Sequence, residues 1–366
     1  MWEAAAGTMK SQTIRRMISN ALNIIRCIRL QCHTLYNAKN LHPPLLRSAI
    51  HPLPKFDTIG TMAVSVSSPS SKITRRQFAK VALAGAAGLA LYSGEMERHF
   101  LEVSRNDVQL PGLHAAFDGM RIAQLSDIHL DLFTESFFLQ YAVERINQLN
   151  PDAVFLTGDF VSGIKGMHRL PKLERFVQSA AWRCAGILNK LQCRLRYAVL
   201  GNHDVHVGAP GVIEALTNSG ITVLRNEYTP IERGGGRFWL AGLDDVLESD
   251  PQPDIAIPET IRNIATEPVV LMCHEPDFVD ALLKHPTGQA VALMLSGHTH
   301  GGQIRMPFVG PLALPALGRK YVEGWFRLKN LQLHVNRGLG TVGVPFRFDC
   351  PPEISLLTLR TAPLAG

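Results

Sequence analysis

Short apolar runs alternate with longer amphipathic stretches over the C-terminal three quarters of the chain. Apolar runs bounded by polar residues predict buried strands, and apolar residues at helical spacing predict helices. The predicted strands cover residues 121–126, 153–157, 197–200, 238–243, 268–273, 290–295, 331–335 and 354–359, with a hairpin turn at 234–236. The predicted helices cover residues 135–150, 171–192 and 212–218. Because helices alternate with strands early and strands dominate late, we predict an α/β (α+β) fold of two facing sheets with helices outside.

Polar residues of metal-binding type follow the ends of five of these strands. They are Asp127 and His129, Asp159, Asn202 with His203 and Asp204, His274, and His298 with His300. Ligands gather beyond the carboxyl ends of strands in open α/β sheets. Glycine precedes Asp159, Asn202 and His298, where the backbone has to turn sharply. Asp244 and Asp245 also follow a strand, but a solvated turn is the favoured interpretation.

The candidate metal ligands offer nitrogen and oxygen atoms and no sulfur. Seven residues supply them, namely Asp127, His129, Asp159, Asn202, His274, His298 and His300. On an extended strand end, Asp127 and His129 point to the same side, as do His298 and His300. Seven donors exceed what one first-row ion takes, and they suit two ions that share the carboxylate of Asp159. Each residue alone is more often a cap or a structural histidine, so the prediction rests on all of them in this order.

The ordered motifs resemble the calcineurin-like metallophosphoesterase superfamily over residues 120–311. Residues 337–340 and 350–354 resemble a bacterial branch of exported or wall-associated phosphoesterases, with relatives that hydrolyse UDP-2,3-diacylglucosamine. The resemblance implies a metallophosphoesterase-type β-sandwich flanked by helices. It also implies two divalent ions (Mn, Fe, Zn or Ni).

The resemblance further assigns a role to each residue. It places Asp127, His129, Asp159 and His300 on one ion, and Asp159, Asn202, His274 and His298 on the other. His203 would protonate the leaving oxygen or stabilise the transition state. The family often has an aspartate where this chain has Ser162, which removes a negative charge that supports the pKa of His203. Asp204 is the candidate that compensates for it.

Charge is distributed unevenly along the chain. Residues 1–98 hold 13 Lys/Arg and 4 Asp/Glu, whereas residues 99–366 hold 24 and 27. The basic character therefore belongs to the N-terminal segment, and no nucleic-acid partner is expected for the body. Six Cys in 366 residues are too few for a disulfide scaffold.

Residues 72–92 resemble a twin-arginine export signal. Arg75 and Arg76 are followed by Phe78 and Lys80 and then by an uncharged run over residues 81–92. That run is shorter than the roughly 20 residues that span a bilayer. We predict a signal or membrane tether over residues 62–95, with the twin-arginine export machinery and a membrane surface as partners, and a folded domain over residues 96–366. A buried amphipathic helix is the alternative for the signal.

Residues 1–61 lie far ahead of the arginine pair for an export signal. We therefore predict that translation starts at Met62 rather than Met1, and that residues 1–61 are a gene-model extension. A real but disordered extension is the alternative.

Together these features predict a dinuclear hydrolase of phosphodiester or pyrophosphate bonds. Its expected substrate is a phosphorylated small molecule or lipid-linked group of the cell envelope, and its expected location is exported, periplasmic or membrane-associated. UDP-2,3-diacylglucosamine hydrolysis in lipid A synthesis is an alternative that needs the body anchored in the cytoplasm. A non-catalytic scaffold is another, which retention of all seven ligands disfavours. Apolar residues 306–315 follow the His298–His300 loop. They are interpreted either as a packed loop or as a lip beside the site that receives an acyl chain.

Overall fold

The structure is a computed structural model that describes residues 74–130, 134–163, 171–264 and 266–363. The predicted extension, its start at Met62, and residues 62–73 of the predicted signal lie outside this range. The helices are α1 (Arg75–Leu91), α2 (Ser136–Leu149), α3 (Pro171–Leu188), α4 (Asn202–Asn218), α5 (Pro253–Ala256), α6 (Glu259–Arg262) and α7 (Val279–Leu282). The strands are β1 (Glu102–Pro111), β2 (Arg121–Leu125), β3 (Ala153–Leu156), β4 (Leu195–Ala198), β5 (Thr222–Val223), β6 (Glu227–Arg233), β7 (Gly236–Gly242), β8 (Val269–Met272), β9 (Val291–Ser296), β10 (Arg305–Met306), β11 (Gly310–Pro311), β12 (Gly324–Leu328), β13 (Leu331–Val335) and β14 (Glu353–Ala362).

Two six-stranded mixed sheets form the body, as the sequence predicts. The first has the order β1-β14-β2-β3-β4-β5 and the second β12-β13-β9-β8-β7-β6, while β10 and β11 form a separate two-stranded hairpin. In the first sheet β2, β3 and β4 are parallel, and in the second β7, β8 and β9 are parallel. Parallel strands bring their carboxyl ends to one edge, so the segments that follow them meet there.

Apolar side chains fill three layers around these sheets. Phe155 of the first sheet shares a buried cluster with Leu240 and Leu293 of the second. Val154 and Leu156, the neighbours of Phe155, join a second cluster with α2, α3 and α4. Successive residues of a strand face opposite sides, so β3 is buried on both faces and reads as a continuous apolar run. A third cluster joins the outer face of the second sheet to α5, α6 and α7.

Several elements differ from those predicted. The strand β1 carries Arg105, Asn106 and Asp107 and pairs at the sheet edge with β14, so its polar residues hide the pattern of a strand. The helix α4 begins at Asn202, whereas the sequence predicted a helix only from residue 212. Gly208, with φ 129°, and Pro210 interrupt the helical pattern between those points. The hairpin turn predicted at 234–236 is confirmed between β6 and β7.

The segment after α1 contacts the body of the protein. The Arg347 backbone N–H donates to the Ser93 carbonyl at 3.0 Å, and the Cys350 N–H donates to Glu97 Oε1 at 2.8 Å. The Tyr92 ring packs edge-on against Phe348 at 6.4 Å between ring centres. The boundary predicted at 95–96 therefore falls inside a segment that packs on the body. Among the described residues, no helix has both the length and the apolar character to cross a membrane.

Candidate metal centre

Most of the predicted ligands stand on left-handed backbone. The φ angles are 51° at Asp127, 49° at His129, 58° at Asp159, 72° at His298 and 51° at His300. Few residues other than glycine adopt this region, and such strain concentrates at functional sites. The sequence analysis predicted extended backbone at the pair Asp127 and His129 and at the pair His298 and His300. The structure corrects this prediction, since all four residues have a positive φ. The side chains still converge, because the chain turns sharply just past each strand.

Two glycines allow backbones to approach the carboxylates closely. A Cβ at Gly201 would lie 2.3 Å from Asp159 Oδ1. A Cβ at Gly297 would lie 2.4 Å from Asp127 Oδ2. No side chain fits at these distances, so both positions require glycine.

Four of the predicted ligands surround one point. His129 Nε2 lies 3.0 Å from His300 Nε2 and 3.4 Å from Asp159 Oδ2. His300 Nε2 lies 3.5 Å from Asp127 Oδ1. Carboxylate oxygens and imidazole nitrogens that face one another at such distances are typical of a metal site. The structure thus brings together the residues predicted for the first ion.

The remaining ligands meet on the other side of Asp159. His274 Nε2 lies 3.2 Å from Asp159 Oδ2, and candidate donor atoms of Asp159, His274 and His298 all lie within 4.8 Å of one another. Asn202 Oδ1 and His298 Nδ1 are buried and have no hydrogen-bond partner among the described residues. A buried polar atom without a hydrogen-bond partner is energetically costly. The Asn202 oxygen and the His298 nitrogen therefore fit as ligands of a second ion that shares Asp159.

Backbone and hydroxyl groups behind the histidines fix which ring nitrogen faces the site. His274 Nδ1 contacts the Thr157 carbonyl at 2.6 Å, and His300 Nδ1 contacts the Gly340 carbonyl at 3.2 Å. His298 instead turns Nε2 to the Ala316 carbonyl at 2.7 Å. A carbonyl only accepts, so the nitrogen that meets it carries the proton. The other nitrogen of each ring keeps its lone pair for a metal.

Burial and neighbouring charges set the protonation of the centre. Burial lowers the pKa of His129 to about 3 and that of His298 to about 4, so both are neutral near pH 7. Burial alone would raise the pKa of Asp159, but His274 and His203 lower it well below its ordinary value. Burial would lower the pKa of His274, but Asp159 raises it well above its ordinary value. A bound metal would replace the proton on His274.

His203 lies beside the ligands, part-exposed, at the mouth of the centre. Its ring stands edge-on to His129 at 4.8 Å between centres. Its backbone N–H donates to Asp159 Oδ1 at 2.9 Å. Its Nδ1 lies 2.9 Å from the Gly163 nitrogen and 3.0 Å from the Gly163 carbonyl. The backbone of Gly163 therefore orients the ring.

Ser162 and Asp204 contact other partners than the sequence suggested. Ser162 Oγ lies 3.1 Å from His129 Nδ1, so it supports a ligand rather than His203. The Asp204 carboxylate accepts four backbone N–H groups at 2.8–3.2 Å, from residues 159, 160, 161 and 201. No hydrogen bond between the Asp204 and His203 side chains occurs in the part of the chain that the structure describes. No side-chain contact therefore supports the prediction that Asp204 compensates at His203 for the aspartate replaced by Ser162.

Two further features escaped the sequence analysis. Arg347 is fully buried and donates to the carbonyls of Gly340, Arg337 and Cys350, which orders the loop behind His300. Nothing in the sequence marks Arg347, which lies far beyond the last ligand motif. Asp245 is buried at 1% exposure and accepts backbone N–H groups of residues 247 and 248, so the solvated turn predicted there is wrong.

A cleft of about 380 Å³ opens onto the centre. Its polar wall contains Asp159, Asn202, His203, His298 and His300. Its apolar wall contains Ile304, Leu312, Ala313, Leu314, Pro315, Val342 and Val344. Of the predicted lip, residues 312–315 thus line the cleft and residues 306–309 do not. A larger cleft of about 500 Å³ elsewhere contains none of the predicted ligands.

Comparison with known proteins matches the chain to a phosphoesterase family model and to relatives named as phosphoesterases or pyrophosphatases. The family model described as calcineurin-like phosphoesterase matches residues 120–302. The uncharacterized metallophosphoesterase YkuE of Bacillus subtilis is 33% identical over 79% of this chain and 99% of its own length. Phosphodiesterase YaeI of Escherichia coli is 29% identical over 78% of this chain and 99% of its own. The UDP-2,3-diacylglucosamine pyrophosphatase LpxG of Chlamydia trachomatis is 27% identical over 73% of this chain and 92% of its own.

Proposed function

The chain belongs to the calcineurin-like metallophosphoesterase family and is a hydrolase of phosphoester bonds, and we propose that its substrate is a phosphodiester or pyrophosphate joined to a lipid of the cell envelope. The cleft carries this proposal, because the candidate metal ligands and a set of apolar side chains line the same cavity. A phosphate group suits the polar wall, and an acyl chain suits the apolar one. Each buried methylene would contribute about 0.8 kcal/mol of affinity.

The described residues divide the work of such a reaction. Asp127, His129, Asp159 and His300 would hold one ion, and Asp159, Asn202, His274 and His298 the other. When bound, the ions would lower the pKa of a coordinated water and neutralise charge on the phosphoryl oxygens. The buried carboxylate of Asp127 accepts the His298 backbone N–H at 3.0 Å, which keeps the two ligand loops together.

His203 is the proposed proton donor. If Nδ1–H donates to the Gly163 carbonyl at 3.0 Å, Nε2 is free to hold the proton that passes to the leaving oxygen. His203 lines the cleft, so a bound phosphoester can reach it.

A UDP-2,3-diacylglucosamine pyrophosphatase activity is the second candidate. The name of the Chlamydia relative supports it, and a substrate with a pyrophosphate and acyl chains matches both walls of the cleft. The two candidates differ in location: an envelope substrate fits export through the proposed twin-arginine signal, whereas a nucleotide-sugar substrate fits a body held in the cytoplasm.

Two experiments test these proposals. The first compares KM for an acylated phosphodiester with KM for a water-soluble analogue, in wild type and in Leu312→Ser/Leu314→Ser. We expect KM to rise only for the acylated substrate, and Ile255→Ser on α5 serves as an exposed apolar control. An equal rise for both substrates would show that the wall only packs, and the lipid-linked substrate would be abandoned.

The second experiment addresses location. Residues 62–120 are fused to a reporter that is active only outside the cytoplasm, beside a fusion carrying Arg75→Lys/Arg76→Lys. Reporter activity that the lysine variant loses supports export and an envelope substrate. No activity in either fusion favours the cytoplasmic pyrophosphatase.

A further inference from the structure

The β10–β11 hairpin presents an apolar tip to solvent. Phe308 at the tip is fully exposed, and the exposed fraction of Val309 is 74%. The φ of Phe308 is 66°, in a region that bulky residues rarely adopt. A large ring held outward on strained backbone, without any burial, gains nothing from the fold itself. Such features indicate a binding role.

The apolar surface extends on either side of the tip. No residue from 306 to 318 is charged. Met306 and Leu312 are also exposed, and Leu312 continues into the wall of the cleft. Arg319, just beyond this stretch, is in no side-chain ion pair within the described part of the chain. Residues 306–312 thus form an uncharged projection next to the cleft. Arg305, which pairs with Glu323, and Arg319 flank the uncharged stretch along the chain.

The helix α1 is a second exposed apolar element in the described part of the chain. None of its residues is buried, and its exposed side chains include Phe78, Val81 and Leu83. It carries Arg75, Arg76 and Lys80 and no acidic residue, so its charge is complementary to an anionic surface.

The two elements leave the body at neighbouring points. The chain leaves α1 at Tyr92, whose ring packs on Phe348. The Phe348 N–H donates to the Gln303 carbonyl at 3.0 Å, and the Arg305 N–H donates to the Phe348 carbonyl at 2.9 Å. Phe348 therefore joins the end of α1 to the root of the hairpin.

We propose that the tip formed by Phe308 and Val309 inserts into the surface of a lipid bilayer that carries anionic headgroups, beside the attachment of α1. An uncharged projection next to a basic apolar helix matches an interface with acyl chains below and phosphates above. Insertion would bring Leu312, and with it one side of the cleft, close to the bilayer. The inference goes beyond the proposed function, since a membrane-docked hydrolase can act on a soluble phosphoester.

The test uses the purified full chain and vesicles of phosphatidylcholine with and without phosphatidylglycerol. Tryptophan is placed at the tip (Phe308→Trp) or on α5 (Ile255→Trp), and lipids brominated on the acyl chain are used as quenchers. The four native tryptophans set a background that the wild type measures. We expect quenching beyond that background for the tip variant only, and stronger quenching when phosphatidylglycerol is present. If the vesicles bind the protein without quenching the tip tryptophan, α1 alone holds the membrane and the proposal fails.

A loss-of-binding variant complements the quenching. Phe308→Ser/Val309→Ser should weaken vesicle binding roughly tenfold, from lost apolar burial. Its melting temperature and its turnover of a water-soluble phosphodiester should match wild type, which separates this inference from the proposed function. Unchanged vesicle affinity would overturn the proposal. So would a wild-type dimer in solution that the double variant dissociates, since the tip would then bind a second copy.

Discussion

Replacing Asp204 with asparagine separates a structural role from a catalytic one. The carboxylate accepts four backbone N–H groups: those of Asp159 and Gly201 on Oδ2, and those of Phe160 and Val161 on Oδ1. In Asp204→Asn an NH₂ group replaces one oxygen. Two buried N–H groups would then face a donor rather than an acceptor.

The structure sets the size of the effect. An unsatisfied buried donor costs about 1–3 kcal/mol, so two give about 2–6 kcal/mol. Burial raises the pKa of Asp204 to about 8, and Asp159 adds to the rise, so the comparison is made at pH 9, where the group is a carboxylate. A neutral amide relieves part of that burden, so we expect the lower half of the range, about 2–4 kcal/mol. For a domain of this size, the melting temperature should fall by roughly 4–12 °C.

Thermal unfolding of the metal-free protein measures this loss. Asp250→Asn changes an exposed aspartate whose carboxylate accepts from Gln252 Nε2 at 2.7 Å, and it should stay within about 0.5 kcal/mol of wild type. Turnover of Asp204→Asn at saturating Mn²⁺ should remain measurable. An unchanged melting temperature with abolished turnover would refute the structural role and restore Asp204 as a catalytic group.

Three other substitutions probe separate contacts. Ser162→Ala removes the 3.1 Å contact to His129 Nδ1 and should weaken metal binding about 10–100-fold in a titration with Mn²⁺. His203→Ala should keep its metal by elemental analysis and lose about 10²–10⁴-fold in kcat; loss of metal would make it a ligand. Burial lowers the pKa of His334 to about 4, so the unfolded chain binds its proton first, and stability is lost as pH falls from 6.5 to 4. Over this pH range, the free energy of unfolding of His334→Gln should fall by about 3 kcal/mol less than that of wild type. Parallel curves of the free energy of unfolding against pH would contradict the assignment.

The sequence predicted which side chains converge at the candidate centre because each of them is local to a strand end. A short apolar run followed by Asp159, or by His274, is recognisable within a few residues of sequence. Parallel pairing then brings the carboxyl ends of these strands together. The layering followed for the same reason. The continuous apolar run of β3 marks both of its faces as buried.

What the sequence did not predict depends on contacts between distant segments. Arg347 orders the loop behind His300 through carbonyls alone, so no partner residue type marks it. Ser162 meets His129 rather than His203 because of the left-handed turns at the ligands, which spacing does not specify. The edge strand β1 was missed because its exposed face is polar.

Metal content is the most direct test of a shared, two-ion centre. Protein purified and loaded with Mn²⁺ under reducing conditions is analysed by mass spectrometry of the elements, as wild type and as Asp159→Asn. Asp159 Oδ2 lies 3.4 Å from His129 Nε2 and 3.2 Å from His274 Nε2, between the two groups of donors. We predict about two ions per chain in wild type and weakened retention at both positions in the variant. One ion or none in wild type, or a variant that loses only one, would contradict the shared centre.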